Sequence, residues 1–277
     1  MTKNNLGRPF SPYYSSGGLF VPVTCVRTPF TKYFIKNIKN IDGNFGYEKS
    51  FHSFVPDLRT MEMKERIQKK ADELFTRYGI RSITMDEIAS QLGMSKKTIY
   101  QYFSDKDELV DAVIANVIEY SKECCEKDRT ESDNAIDEVF RALDMIQDIF
   151  RNMNPGMMFD LERYHPRTYK RFLDHKNKYL FHTIKLNLER GIREELFRPE
   201  IKIEIIARFR LEAMMLAFNP EVFKDAKSTL AELHQEILEH FLFAASSLKG
   251  HKLIIKYKEE RIKKAKQYET LSSSRHK

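Results

Sequence analysis

The stretch MDEIASQLGMSKKTIYQYFSDKDELV, residues 85–110, decides how the rest of the chain is read. It holds two short apolar patterns with Gly93 between them, then returns to ordinary amphipathic helix. Thr84 and Glu87 have the T-x-x-E spacing of a capping box, which predicts a helix from Met85 to about Leu92. Gly93 ends that helix. Ser95 caps the next one, to about Phe103, by offering its hydroxyl to orphan backbone amides. Ser104, with Asp107 three residues on and Glu108 beside it, caps a further helix carrying Leu109, Val113, Val117 and Tyr120. Two short helices joined by a tight glycine turn form the core of a helix-turn-helix.

The second short helix carries the chemistry. Ile99 and Phe103, four apart, face a core, so Lys96, Lys97, Thr98, Tyr100 and Tyr102 largely face outward. No acid occupies its first turn, which leaves the positive end of the helix dipole free for a phosphate. Tyrosine hydroxyls can bond phosphates, and a lysine at 96 or 97 can donate to guanine edges in a major groove. Lys106, in the first turn of the following helix, suits a phosphate anchor. The bland alternative is that Tyr100 and Tyr102 cap the core.

Working outward, the chain from Glu62 reads as helix after helix. Ile67, Ala71, Leu74, Phe75 and Tyr78 make one stripe over Glu62–Tyr78, which Gly79 stops. After Asp128 the helices lengthen: about Asp133–Asn152, Pro155–Tyr164, Pro166–Arg190, Ile203–Phe218 and Thr229–Leu248. The helix from Ile203 is apolar on most sides and must be covered on more than one face. Residues 251–277 read as a basic, fraying, solvated helix end. Residues 1–60 differ. They hold five of the ten glycines and five of the nine prolines, show no helix period and carry excess Lys and Arg. Two readings stand for them: an irregular extension lying upstream of a start near Met61 or Met63, or a basic arm that touches DNA.

Composition sets bounds. The 277 residues carry a formal charge of +7, with 31% charged and 42% hydrophobic residues, and mean hydropathy is −0.53. No run approaches the roughly 18–20 apolar residues of a membrane helix, so no membrane partner is expected. The three cysteines, Cys25, Cys124 and Cys125, make no disulfide framework and fit a reducing cytoplasm. No phosphate loop, G-x-S-x-G or defensible nucleophile–histidine pair occurs. No catalytic residue, metal or cofactor is expected. Glu162–His165 has Glu-x-x-His spacing but lacks a second copy, so it reads as a solvated helix end. His234 and His240 read as surface or interface residues, and Cys124 and Cys125 as thiols without a role.

Thr84, Ile88-Ala89, Gly93-Met94-Ser95, Thr98-Ile99-Tyr100, Tyr102-Phe103, Lys106 and Leu109 together closely resemble the DNA-binding domain of the TetR family of bacterial transcriptional regulators. The resemblance covers about Glu62–Val113 and implies an all-α architecture, with a three-helix head at 61–107 followed by a ligand-binding and dimerisation domain at 108–250. Thr84 would contact DNA backbone, Ser95 would cap the reading helix, and Lys96, Lys97, Thr98, Tyr100 and Tyr102 would meet the duplex. Lys106 would hold a phosphate. Lys97 stands where many relatives have glycine or another residue, so base preference does not carry over. The last two long helices would form a homodimer interface through Phe209, Leu216, Leu233, Ile237 and Phe241, and the dimer would read a pseudo-palindromic double-stranded operator. Met145, Phe150, Met157, Met158, Phe172, Tyr179 and Met214 lie at helical spacing, which fits plain core, but are also an adaptable supply for lining a small apolar effector's cavity. The expected function is a ligand-released repressor. The alternative is a helical enzyme or interaction module with a vestigial helix-turn-helix.

Overall fold

A computed structural model describes residues 58–219, 221–225 and 227–274. The reading of the amino-terminal extension falls, up to residue 57, outside the described residues. The described chain is all α. Its elements are α1 (Leu58–Tyr78), α2 (Met85–Gln91), α3 (Lys96–Tyr100), α4 (Lys106–Glu131), α5 (Ala135–Phe150), α6 (Met157–Tyr164), α7 (Pro166–Asp174), a π-helical turn (His175–Leu180), α8 (Phe181–Arg193), α9 (Ile203–Leu216), α10 (Leu230–Ala245) and α11 (Leu248–Ser274). The only β-type pairing among the described residues is a bridge between Phe197 and Ser246.

Local chemistry sets the head. Gly79 and Gly93 take φ of +84° and +66°, left-handed values that L side chains rarely adopt. Thr84 Oγ1 accepts from Glu87 N at 3.1 Å, and Ser95 Oγ from Thr98 N at 3.1 Å. Ser104 is not the cap of α4. Asp105 is, accepting from Glu108 N at 2.8 Å, while the Glu108 carboxylate reaches back to Ser104 N and Oγ at 2.7 and 2.8 Å. These bonds hold the Glu108 carboxyl below its ordinary range. The cap moved by one residue because an aspartate competes directly with a serine for the role.

Two apolar clusters follow. Ile67, Phe75, Ile88, Ile99, Phe103, Leu109 and Val113 build the first, inside the head; Met157 and Leu161 of α6 join it. Ile136, Phe140, Leu188, Phe197, Leu211, Leu242 and Ile254 build the second. The tail is therefore not merely a fraying end. Ile254 of α11 is fully buried, the Tyr257 ring meets Phe140 edge-on at 5.8 Å, and Asn134 Nδ2 donates to Tyr257 Oη at 2.8 Å. Arg261 lies over Phe140 and pairs with Asp144. Gly250, Ile254, Tyr257 and Arg261 recur at helical spacing, a signal that net charge obscured.

The expected helix to Leu248 stops at Ala245 because the 194–198 connection intervenes. Arg198 N donates to Ala245 O and Ser247 N to Leu196 O, at 3.0 and 2.9 Å. At Gly250 a Cβ would stand 2.0 Å from Leu196 O, and at Gly191 one would stand 2.1 Å from Phe197 Cδ2. Glycine at both positions lets the connection lie flat on its helices.

Candidate DNA-binding surface and ligand cavity

The reading helix α3 is short, five residues, and depends on its neighbours. Ile99 and Phe103 are buried in the head. Lys96, Lys97 and Tyr100 are exposed, and Thr98 is half-buried with its hydroxyl 2.8 Å from Ser95 Oγ. Lys96 Nζ pairs with Asp86 on α2 at 2.9 Å and stands 6.0 Å from the Tyr100 ring centroid. That hydrogen bond raises the Lys96 pKa. A surface pair of this kind is weak, so it holds Lys96 in place without committing it. Thr84 is exposed at the start of α2.

Two of the predicted surface residues are placed differently from expectation. Tyr102 is half-buried and packs on the head core rather than facing outward. Tyr102 follows the last residues of α3 beside the buried Phe103, so its ring lies against the head. Lys106 turns inward: its Nζ donates to Ile80 O at 2.6 Å and sits 5.9 Å from the Phe75 ring centroid. Burial lowers its pKa. An ammonium has three donors, so one bond to Ile80 still leaves capacity toward a phosphate.

Between α4, α5, α6, the π turn, α9 and α10 lies a cavity of about 230 Å³. Met145, Phe150, Met157, Met158, Phe172 and Met214 all line it. Tyr179 does not. Its hydroxyl donates to Lys122 O at 3.2 Å, and its ring stacks on His175 at 5.4 Å, on the outer side of the π turn. Burial holds its phenol up, at about 12. Phe159 and Tyr164, on the same stretch of chain, are exposed.

Sequence reasoning missed several polar lining residues. His234 is buried rather than superficial, with its ring 4.6 Å from Phe150 and 5.7 Å from Phe218. Burial pushes its pKa down to about 4, and does the same to His175, so both are neutral at pH 7. Arg210 and Asn187 also line the cavity and are buried. Arg210 shares a stripe with Ala207, Leu211 and Met214, and that spacing was the available signal. The Cys125 thiol is pushed up to about 11 by burial, with Asp128 adding to the shift. It is protonated at neutral pH and a poor nucleophile.

Helix α6 joins the two regions. Met157 and Leu161 line the cavity and also pack in the head cluster. On the same helix Asp160 Oδ2 accepts from Arg81 N at 2.9 Å, and Asn154, just ahead of it, donates its backbone N–H to Thr76 O at 2.7 Å. His165 is not at a solvated helix end. It is buried at the α6–α7 joint, with Nδ1 2.6 Å from Asp107 Oδ1 but outside hydrogen-bond geometry. Thr168 and Arg171 add contacts to Asp111 at 3.2 and 3.0 Å, so the joint is clamped to α4. Among the described residues no group of three or more His, Cys, Asp and Glu is placed to hold a metal. No helix among them is long and apolar enough to cross a membrane.

The faces expected at a homodimer interface divide. Phe209 and Leu216 are exposed on α9, along with Ile205. Leu233 and Ile237 are half-buried. Phe241 is buried inside the protomer, under the Arg210 guanidinium at 5.0 Å, and cannot reach a partner. It faces α9 because α10 is apolar over a wide arc, and its inner edge is the one α9 covers.

Comparison with known proteins agrees with this geometry. Residues 67–113 match the family described as bacterial regulatory proteins, tetR family. An HTH-type transcriptional regulator of Bacillus subtilis, YvaF, is 35% identical over 105 residues, which is 37% of this chain and 54% of that protein. An HTH-type transcriptional regulator of Staphylococcus aureus is 40% identical over 53 residues, 19% of this chain and 29% of its own. The chain thus spans about half the length, or less, of these relatives. Two solved structures share the fold. A TetR-family regulator from Agrobacterium tumefaciens superposes with a TM-score of 0.58 at 14% identity, over 68% of this chain and 100% of that one. A transcriptional regulator from Saccharomonospora viridis, solved in complex with choline, gives 0.56 at 14% identity, over 68% and 99%. The capped helix-turn-helix at 84–103 thus lies within a segment that matches the tetR family of bacterial regulatory proteins, with an all-helical body behind it.

Proposed function

We propose that the protein is a sequence-specific transcriptional repressor that binds a pseudo-palindromic operator as a homodimer and is released by a small, mainly apolar effector. The observation that carries this reading is the joint role of α6. The same short helix walls the cavity and packs in the DNA-binding head, through Met157 and Leu161. A ligand that shifts α6 therefore shifts the α1–α2 loop, gripped by Asp160, and α4, gripped by Thr168 and Arg171. The ligand's effect is capped by its differential affinity for the two arrangements.

DNA contact would come from Lys96, Lys97, Thr98 and Tyr100 on α3, with Ser95 as the cap, and from Thr84 and Lys106 at the phosphates. One head offers few contacts, and two-fold pairing doubles them across two half-sites. The exposed Ile205, Phe209 and Leu216 support pairing through α9. Mapping the protein's binding sites across its host genome tests the proposal. Discrete sites with inverted half-sites are expected; a diffuse distribution following DNA density would overturn it.

A further inference from the structure

The cavity is not apolar throughout. Two basic side chains of the lysine and arginine type line it, Lys176 and Arg210. Lys176 is committed, with Nζ 2.9 and 3.1 Å from the two carboxylate oxygens of Glu212. Arg210 is not. It is 8% exposed, and among the described residues its Nε has no hydrogen-bond partner. Phe241 covers one face of the guanidinium at 5.0 Å. The carboxylate whose charge acts on it, Glu138, is held by Arg190 Nη1 at 3.0 Å. Burial pushes Arg210 down to about 10, a sign of how little compensates it. Asp128, the other acid in the lining, has Arg141 as its main counter-charge.

We propose that Arg210 is the headgroup receptor of this cavity, and that the ligand is a carboxylate on a short hydrocarbon body. This rests on reading the cavity as the effector site. A guanidinium matches a carboxylate in a bidentate pair. The remaining lining, Met145, Ile146, Phe150, Met158 and Met214 among others, suits hydrocarbon. Size follows from volume. An engineered cavity of about 150 Å³ accepts benzene, so one of about 230 Å³ takes roughly nine non-hydrogen atoms, close to octanoate.

Titration calorimetry of the full chain with octanoate, 1-octanol and n-octylamine tests this. Wild type is expected to bind octanoate about tenfold or more tighter than 1-octanol, since hydrogen bonds to charged groups are the stronger kind. Arg210→Met should lose that preference and leave 1-octanol unchanged, with the circular dichroism spectrum of wild type. Equal binding of octanoate by wild type and Arg210→Met would mean that solvent satisfies Arg210, and a preference for n-octylamine would mean that Glu138 and Asp128 govern the site. Either result overturns the headgroup assignment while the cavity stands. Failure of all three probes to bind wild type would overturn the cavity reading as well.

Discussion

Phe209→Glu should separate the proposed homodimer without unfolding the protomer. Phe209 is 60% exposed on α9, between Ile205 and Leu216, which are also exposed. A fully exposed phenylalanine presents roughly 200 Å², so about 120 Å² of this ring lies in water. Covering that area is worth about 3 kcal/mol at ~25 cal/mol per Å². A two-fold interface does this twice, for about 6 kcal/mol as an upper bound. Imperfect packing and side-chain ordering take about half of it. The remaining ~3 kcal/mol corresponds to about a hundredfold in Kd, and burying a glutamate against its symmetry mate only adds to the loss. Sedimentation velocity over a dilution series reads the result. Wild type should remain dimeric where Phe209→Glu is monomeric, with equal thermal midpoints for the isolated protomers. Phe159→Glu, at 58% exposure on α6 and off this stripe, is the control. A Phe209→Glu protein that stays dimeric across the series would place the interface elsewhere and refute the reasoning.

Further expectations follow from single residues. Gly191→Ala should destabilise the protein, since its Cβ would enter the buried Phe197 ring. Overpacking of about 1–3 kcal/mol outweighs a helix-propensity gain of about 1 kcal/mol; a raised thermal midpoint would contradict this. His234, with a folded pKa of about 4, binds fewer protons than the unfolded chain between pH 4 and 6.5. Its burial therefore withdraws stability as pH falls through that window, by up to about 3 kcal/mol. Asp128, held up at about 6, acts in the opposite sense over nearly the same range. The test is thus the difference between wild type and His234→Leu in urea unfolding: the variant should lose less stability from pH 6.5 to 4.5, and parallel pH profiles would count against it.

What was legible in the sequence was mostly local. Thr84, Ser95, Gly79 and Gly93 act within a few residues of themselves, and the helix ends they imply lie within a residue or two of those observed. Of the seven residues expected around a cavity, six line the one observed, because methionine and phenylalanine at helical spacing mark an interior whichever helix covers them. The errors arose where rotation or packing of one element on another decides. Phe209 and Phe241 look alike in sequence, yet α9 buries one and leaves the other in water. His165 and His234 are buried by helices distant in the chain. Tyr102 packs on the head core, a choice between core and solvent that its position in the pattern leaves open. Net charge hid the apolar stripe of α11, and Arg210 was passed over because an arginine inside an apolar stripe is easily taken for a solvated one.

The central claim is that α3 reads DNA. The direct measurement is a mobility shift of the full-length protein on duplex from its own upstream region, against an unrelated duplex of equal length at the same salt. Wild type should prefer the upstream duplex by orders of magnitude. Lys97→Ala and Tyr100→Phe should erode that preference while retaining the salt-dependent background that phosphate contacts supply. Preference unchanged in both variants, or absent in wild type, would contradict the claim.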